Sequence, residues 1–336
     1  MDSITHIAIG ACIGEAFFEK GFGKKAMMWG ILAQSIPDID FISHLWLNVP
    51  ESLLAHRGFT HSIMFAVLIV PFFALLADKI HQPHNISFRK WIYFFSFEVF
   101  FHLFIDAFNN YGIGWFEPFS HERISLNTVY VADPLFSVWP AIALFQLIKL
   151  KKFDIRRRFW WKFGLFIPMA YLGLCSVNKI WLDKRIHQEL TATHKVYKSY
   201  FFTPAPLQNL LWYVVAEKDS GFDVGYTSVF DKKNNLHLHY FKKNDSLLNS
   251  VSNHEELQKL IRFSKNYYTI ENWSDTIVFN DLRFGQILGW KSPSNKFVFH
   301  YFLEHPKDNR LVVQRGRFSG WNWMFFNSMF SRIAGN

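Results

Sequence analysis

Two stretches of the chain carry, at short spacing, the residue types that do metal or hydrolytic chemistry. His56-Arg57-Gly58-Phe59-Thr60-His61-Ser62 sets two imidazoles, a guanidinium and two hydroxyls immediately before an apolar run. Neutral imidazole is the commonest metal ligand. Gly58 lets the backbone turn so that His56 and His61 converge, and Arg57 can hold an anionic group such as a phosphate. Thr60 is placed to cap the helix that begins near Ser62. Further on, Glu98, His102 and Asp106 recur at i, i+4, i+8 in a segment otherwise made of Phe, Ile, Leu, Val, Trp and Tyr. That spacing puts all three on one helical face, with His102 and Asp106 one turn, about 6 Å, apart. It suits two ligands of one ion, or a ligand and the carboxylate that orients it. Each stretch also has a plainer reading, a capped helix start with incidental histidines and a hydrogen-bonded polar stripe between helices.

Other residues of the same types precede and follow. His6 opens an apolar run behind Asp2, an N-cap residue type. Gly10 and Gly14 continue the His6 stripe and permit close helix approach. Asp38 and Asp40 stand two apart in Pro37-Asp38-Ile39-Asp40, where both can point at one cation or end a helix in solvent. Glu117-Pro118-Phe119-Ser120-His121 and Asp133-Pro134 complete the set, the latter also an ordinary turn initiator.

Six apolar blocks must position these residues, Ile4–Phe18, Ala26–Ile36, Ile63–Ala77, Trp91–Phe108, Leu135–Ile148 and Phe163–Val177. The 336 residues are 50% hydrophobic and only 19% charged, against about 25% charged for ordinary soluble domains. Disorder is excluded, since it needs low hydrophobicity and high net charge. Cys12 and Cys175 both lie in apolar stretches without a CxxC partner, which excludes a disulfide framework and a thiolate metal site. Most blocks fall short of the ~20 residues that span a bilayer, so length alone leaves a soluble bundle open. Charge distribution decides for a membrane. If all six blocks cross, one set of loops holds 13 Lys and Arg (Lys20, Lys24, Lys25, Lys79, Arg89, Lys90, Lys149, Lys151, Lys152, Arg156, Arg157, Arg158, Lys162) and the other only Arg57 and Arg123. The positive-inside rule makes the first set cytoplasmic. His6, Asp38, Asp40, His56, His61, His102, Asp106, His121 and Asp133 then all map to the opposite side, although none was used to choose it. An N/O donor set suits zinc, with manganese or iron as alternatives. One or two ions would activate water for hydrolysis, with Asp40, Glu98 or Asp133 as base and Arg57 stabilising negative charge.

Thr5-His6, Pro37-Asp38-Ile39-Asp40, the His56–Ser62 motif, His102-xxx-Asp106 and the Gly114…Pro118-Phe119-Ser120…Asp133-Pro134 segment, in this order, resemble the bacterial membrane-bound metal-dependent hydrolases. These are also described as LexA-binding, inner-membrane-associated hydrolases. The resemblance covers roughly residues 1–180. It implies a multi-pass inner-membrane protein whose polar core is His6, Asp38, Asp40, His56, His61, His102 and Asp106, with a divalent metal. His102-xxx-Asp106 is also similar to the helical His/Asp pair of zinc-dependent phospholipase C, which implies a phosphoester or lipid head group as substrate.

After Asn178 charges become frequent and period-two alternation appears. Residues 179–200 read as an amphipathic helix leaving the membrane, ended by Thr203-Pro204-Ala205-Pro206. Strands are expected at 210–216, 223–230, 235–242, 276–280, 284–290, 296–303 and 310–315. A helix capped by Asn253 is expected over 253–264. This half holds 21 Lys+Arg and 14 Asp+Glu, a surplus of seven. Without a nucleic-acid motif, the surplus reads as solvated or lipid-facing charge rather than a nucleic-acid surface. His237 and His239 share a strand face, and the aromatic run Phe318–Phe330 fits an interfacial anchor or packing on the sheet.

The expected architecture is a mainly α membrane helical bundle over 1–178, followed by a small α+β domain with a mainly antiparallel sheet over 179–336. The expected function is metal-dependent hydrolysis of a phosphoester or lipid-like substrate, with membrane lipid as surroundings and a protein partner possible. The rival is a non-catalytic membrane regulator or scaffold, in contact with a partner such as a repressor, whose His/Asp cluster is structural.

Overall fold

The computed structural model describes all residues except 19–21, 82–85, 193–194, 233–235, 275, 305–308, 310–320 and 336. The strand expected at 310–315, the start of the strand expected at 235, Lys20 of the basic loops and residues 318–320 of the aromatic run lie outside the described residues. The chain divides into two compact units. The first is 1–45 with 55–175, and the second is 46–54 with 176–336.

The first unit is helical. α1 (Ser3–Phe17) starts at Asp2, whose carboxylate accepts from Thr5 N. α2 (Lys24–Ser35) packs on α1 at very close range. A Cβ on Gly10 would overlap the carbonyl of Gly30, and one on Gly30 that of Gly10. A 3-10 helix (Pro37–Leu45) follows, then α3 (Val49–Ala55). α4 (Ile63–Ile80) is capped by Ser62, whose hydroxyl accepts from Phe65 N. The cap is therefore Ser62 rather than Thr60. α5 (Phe88–Asp106) and α6 (Pro134–Lys149) complete the unit together with the first part of α7 (Arg156–Ala192).

α4 and α7 are long and apolar enough to cross a membrane. α1 and α6 are shorter apolar helices, and α5 carries Arg89, Lys90, Glu98 and Asp106. α4 turns Val67, Leu68, Phe72 and Leu75 outward, which suits a lipid-facing helix with its backbone hydrogen bonds satisfied internally. Inside, Trp91, Phe94, Phe95 and Val99 of α5 meet Ile9 and Ile13 of α1 in an aromatic-rich core. Arg157 reaches into that unit and pairs with buried Glu15 through two bonds of 2.7 and 2.5 Å, so neither charge is left alone.

The second unit holds two antiparallel sheets. β1 (Ser199–Pro204), β2 (Leu211–Glu217), β3 (Gly221–Ser228) and β4 (Leu238–Lys242) form one in that order, and β5 (Tyr268–Trp273), β6 (Thr276–Gln286) and β7 (Phe297–Phe302) the other. Alternation on β2 explains its burial on both faces. Trp212, Val214 and Ala216 meet Leu182, Ile186 and Leu190 of α7. Leu211, Tyr213 and Val215 share a core with Leu282, Phe297 and α9 (Trp323–Ile333). Trp323, Met324 and Phe330 of the aromatic run stay exposed while Phe325 is buried. α8 (His254–Phe263) is capped by Asn253. Segment 46–54 joins this unit, where Glu51 accepts from Lys259 Nζ at 2.8 Å.

Candidate metal centre

Four donors converge in the first unit. Asp38 comes from the 3-10 helix, His61 from the turn before α4, and His102 and Asp106 from one face of α5. One ligand atom from each lies within 4.8 Å of all the others. The pairwise distances are informative. His61 Nε2 is 3.2 Å from His102 Nε2, 3.5 Å from Asp38 Oδ1 and 3.6 Å from Asp106 Oδ2. His102 Nε2 is 3.7 Å from Asp38 Oδ1 and 3.9 Å from Asp106 Oδ2. Most of these separations are long for hydrogen bonds. They are close to the edge of a tetrahedron, about 3.3–3.6 Å for ligands ~2.0–2.2 Å from a zinc ion.

The hydrogen-bond partners fix the tautomers. His102 Nδ1 faces the backbone carbonyl of Gln34 at 2.7 Å, which can only accept, so Nδ1 carries the proton. His61 Nδ1 lies 3.3 Å from Asp40 Oδ2 and 3.2 Å from Thr60 Oγ1. The Thr60 hydroxyl already donates to Asp40 at 3.0 Å, so the His61 proton is also on Nδ1. In the neutral imidazoles both Nε2 lone pairs then face each other at 3.2 Å. A cation resolves that opposition. Asp106 Oδ2 is buried in an ion pair with Arg57 Nε at 3.1 Å and accepts no further hydrogen bond among the described residues. The donor set fits a divalent ion of the zinc class.

Asp40 stands behind this group. It accepts from His56 Nδ1 at 3.0 Å, Arg57 N at 2.7 Å and Thr60 Oγ1 at 3.0 Å. Burial works to raise its pKa. The hydrogen bonds of His56 and then His61 outweigh that and hold the carboxyl well below the usual carboxylate range. An ionised Asp40 is the carboxylate that orients a ligating histidine.

Each residue singled out in the sequence has a definite place. His6 stacks on His102 with centroids 3.8 Å apart and sets Nε2 at 3.1 Å from Asp106 Oδ1. The Met1 amine contacts the same oxygen. His56 is brought near but outside the four donors, with its ring centroid 6.3 Å from His61 and its Nδ1 on Asp40. The left-handed residue in this turn is Arg57, φ 59°, and not Gly58. Arg57 is buried beside Asp106 and donates to the Met1 carbonyl at 2.9 Å. Glu98 is fully buried one turn before His102, and its carboxyl accepts no hydrogen bond among the described residues. Asp133 caps α6 and accepts from Tyr171 Oη at 2.8 Å. His121 is exposed and pairs with Glu117 at 2.8 Å.

Gln34 went unread in the sequence. Its backbone carbonyl holds His102, its side-chain carbonyl faces His6 Nδ1 at 3.2 Å, and its amide nitrogen donates to the Glu98 carbonyl at 2.7 Å. The last bond fixes which way the amide points, so His6 too carries its proton on Nδ1. The available signal was an uncharged amide three residues before Pro37, at the end of an apolar block.

With this geometry described, comparison with known proteins places the chain. The family model described as YdjM inner membrane protein matches residues 1–182. The chain belongs to the YdjM inner membrane protein family. Among relatives, the inner membrane protein YbcI of Escherichia coli (strain K12) is 28% identical over 156 residues, 46% of this chain and 79% of YbcI. The uncharacterized protein YfhP of Bacillus subtilis (strain 168) is 33% identical over 144 residues, 40% of this chain and 42% of YfhP. No solved structure matches. The YdjM match contains all four converging donors together with His6, Gln34, Asp40 and Arg57, and the second unit lies almost wholly beyond it.

Proposed function

We propose that the chain is a metal-dependent hydrolase of the bacterial inner membrane, acting on a phosphoester or lipid-like substrate. The carrying observation is the pair of imidazole lone pairs opposed at 3.2 Å beside two carboxylate oxygens. A divalent ion bound there, zinc first and manganese or iron as alternatives, supplies Lewis-acid activation of water. Asp38, His61, His102 and Asp106 would hold it. Asp40 keeps the His61 proton on Nδ1, and Gln34 does the same for His102. Arg57 holds positive charge beside Asp106, where an anionic group would gain from it. Asp38, with a side chain 16% exposed, is the most open of the four donors. The excess of basic loop residues on the other side supports an extracytoplasmic site.

The test is metal content of detergent-purified protein, wild type against His102→Ala and His61→Ala. The expected result is near-stoichiometric metal in the wild type and a large loss in both variants. Equal, near-zero metal in all three overturns the reading and favours a regulator whose cluster is structural. A phosphoester and lipid activity screen on the loaded protein then addresses turnover.

A further inference from the structure

The second unit carries a cavity of about 340 Å³, within the ~300–1,000 Å³ typical of small-molecule sites. It lies among β3, the end of β6 with the turn after it, and α9. A glycine on the lining packs close against two of its polar side chains. Gly289 is outside the left-handed region, so the turn does not require a glycine there for its backbone. A Cβ at Gly289 would lie 2.5 Å from Tyr226 Oη and 2.6 Å from Gln286 Oε1, two polar atoms of the cavity lining.

The lining is one-signed. Among the described residues no carboxylate contributes to it, whereas Lys291, Arg332 and His237 do. Arg332 is matched by Asp231 through bonds of 2.6 and 2.7 Å. Lys291 is exposed and makes no ion pair among the described residues. The Ser331 hydroxyl joins it on the lining. An ammonium and a hydroxyl donor on one cavity lining are a recognition set for a phosphate head. Beside them stands a fixed aromatic plate. Trp290 donates Nε1–H to Ser328 Oγ at 3.1 Å, and Phe325 and Tyr226 pack edge-on with centroids at 5.1 and 5.9 Å.

We propose that this cavity binds a small organic phosphate. The phosphate lies on Lys291 and Ser331, and the apolar body lies against Trp290. The site belongs to the second unit and is independent of the hydrolase reading.

Calorimetric titration of the full chain in detergent with phenyl phosphate tests it, with phenol and inorganic phosphate as partial probes. Saturable binding of phenyl phosphate is expected, at least about ten-fold tighter than either part, because both halves contribute. Lys291→Ala, an exposed position whose loss does not threaten folding, should weaken it about ten-fold. The Lys291-dependent part of the binding should persist in His102→Ala. Absence of saturable binding in the wild type overturns the proposal. So does equal affinity in Lys291→Ala, or equal binding of phenol. Loss in His102→Ala with retention in Lys291→Ala also overturns it, by moving the binding to the metal centre.

Discussion

Gln34 controls two imidazoles at once, through its backbone carbonyl to His102 and its side chain to His6. Replacing it with leucine keeps the volume and the backbone carbonyl but removes the amide. His6 then loses the acceptor that directs its ring, and the Glu98 carbonyl loses a donor. Metal affinity should fall about ten- to a hundred-fold, the usual effect of removing an outer-shell partner, as read by chelator competition. Asp40→Asn tests the same logic from the other side. It preserves shape but puts an amide where His61 Nδ1–H needs an acceptor, and a similar loss is expected. The ligating types were legible in the sequence because His and Asp are conspicuous among Phe, Ile and Leu. Their division of labour was not. His56 and Asp40 read as ligand types, and their mutual contact, His56 Nδ1 on Asp40 Oδ1 across the turn at Arg57, is not encoded by spacing. Asp133 read as a base, and its position at the start of α6 next to Tyr171 depends on contacts across the bundle that spacing does not encode.

At the scale of elements, the bundle depends on how closely α1 and α2 approach. Gly30→Ala places a methyl into the Gly10 carbonyl, and this is backbone that has no rotamer with which to yield. Overpacking of this kind costs about 1–3 kcal/mol or more. Thermal unfolding in detergent should therefore begin several degrees lower. Gly173→Ala in α7 is the matched control. Among the described residues nothing lies within 4 Å of its added Cβ, and the gain in helix propensity of about 1 kcal/mol should leave stability equal or higher. The glycine stripe on α1 was legible, as were Asp2 and Asn253 as caps and the alternating strand β7. Three features were not. The sequence read an apolar block ending at Val177 and a separate amphipathic helix over 179–200, with a break between them. α7 runs straight through it, because helix continuity follows backbone propensity and not a change of surroundings. Strands at 276–280 and 284–290 are instead the single strand β6, with a register irregularity between Asp281 and Gln286 and Gly285 at φ 81°. β1 was hidden because Pro204 read as a helix terminator. As the last residue of an edge strand it lacks only an N–H the sheet does not need there.

At the scale of the whole chain, the composition that looked intermediate belongs to two unlike units, and the charge asymmetry belongs to the first. The two long apolar helices make the asymmetry concrete. α4 begins just after His61 and ends near Lys79, while α7 begins at Arg156-Arg157-Arg158 and runs on into the second unit. With basic ends in the cytoplasm, both helices carry the chain to the same opposite side, α4 at its start and α7 at its finish. The two exceptions to the charge rule also lose their force. Arg57 is buried against Asp106, and Arg123 is buried with a bond of 2.9 Å to the His56 carbonyl. Both are internal partners rather than loop charges that would resist translocation, as Arg157 is with Glu15 in the other set. The expected topology therefore has residue 155 inside and residue 200 outside. Alkaline phosphatase fused after residue 200 should be active and after residue 155 inactive, with a cytoplasm-active reporter giving the reverse. An inactive fusion after 200 with an active cytoplasmic reporter there would put the second unit inside.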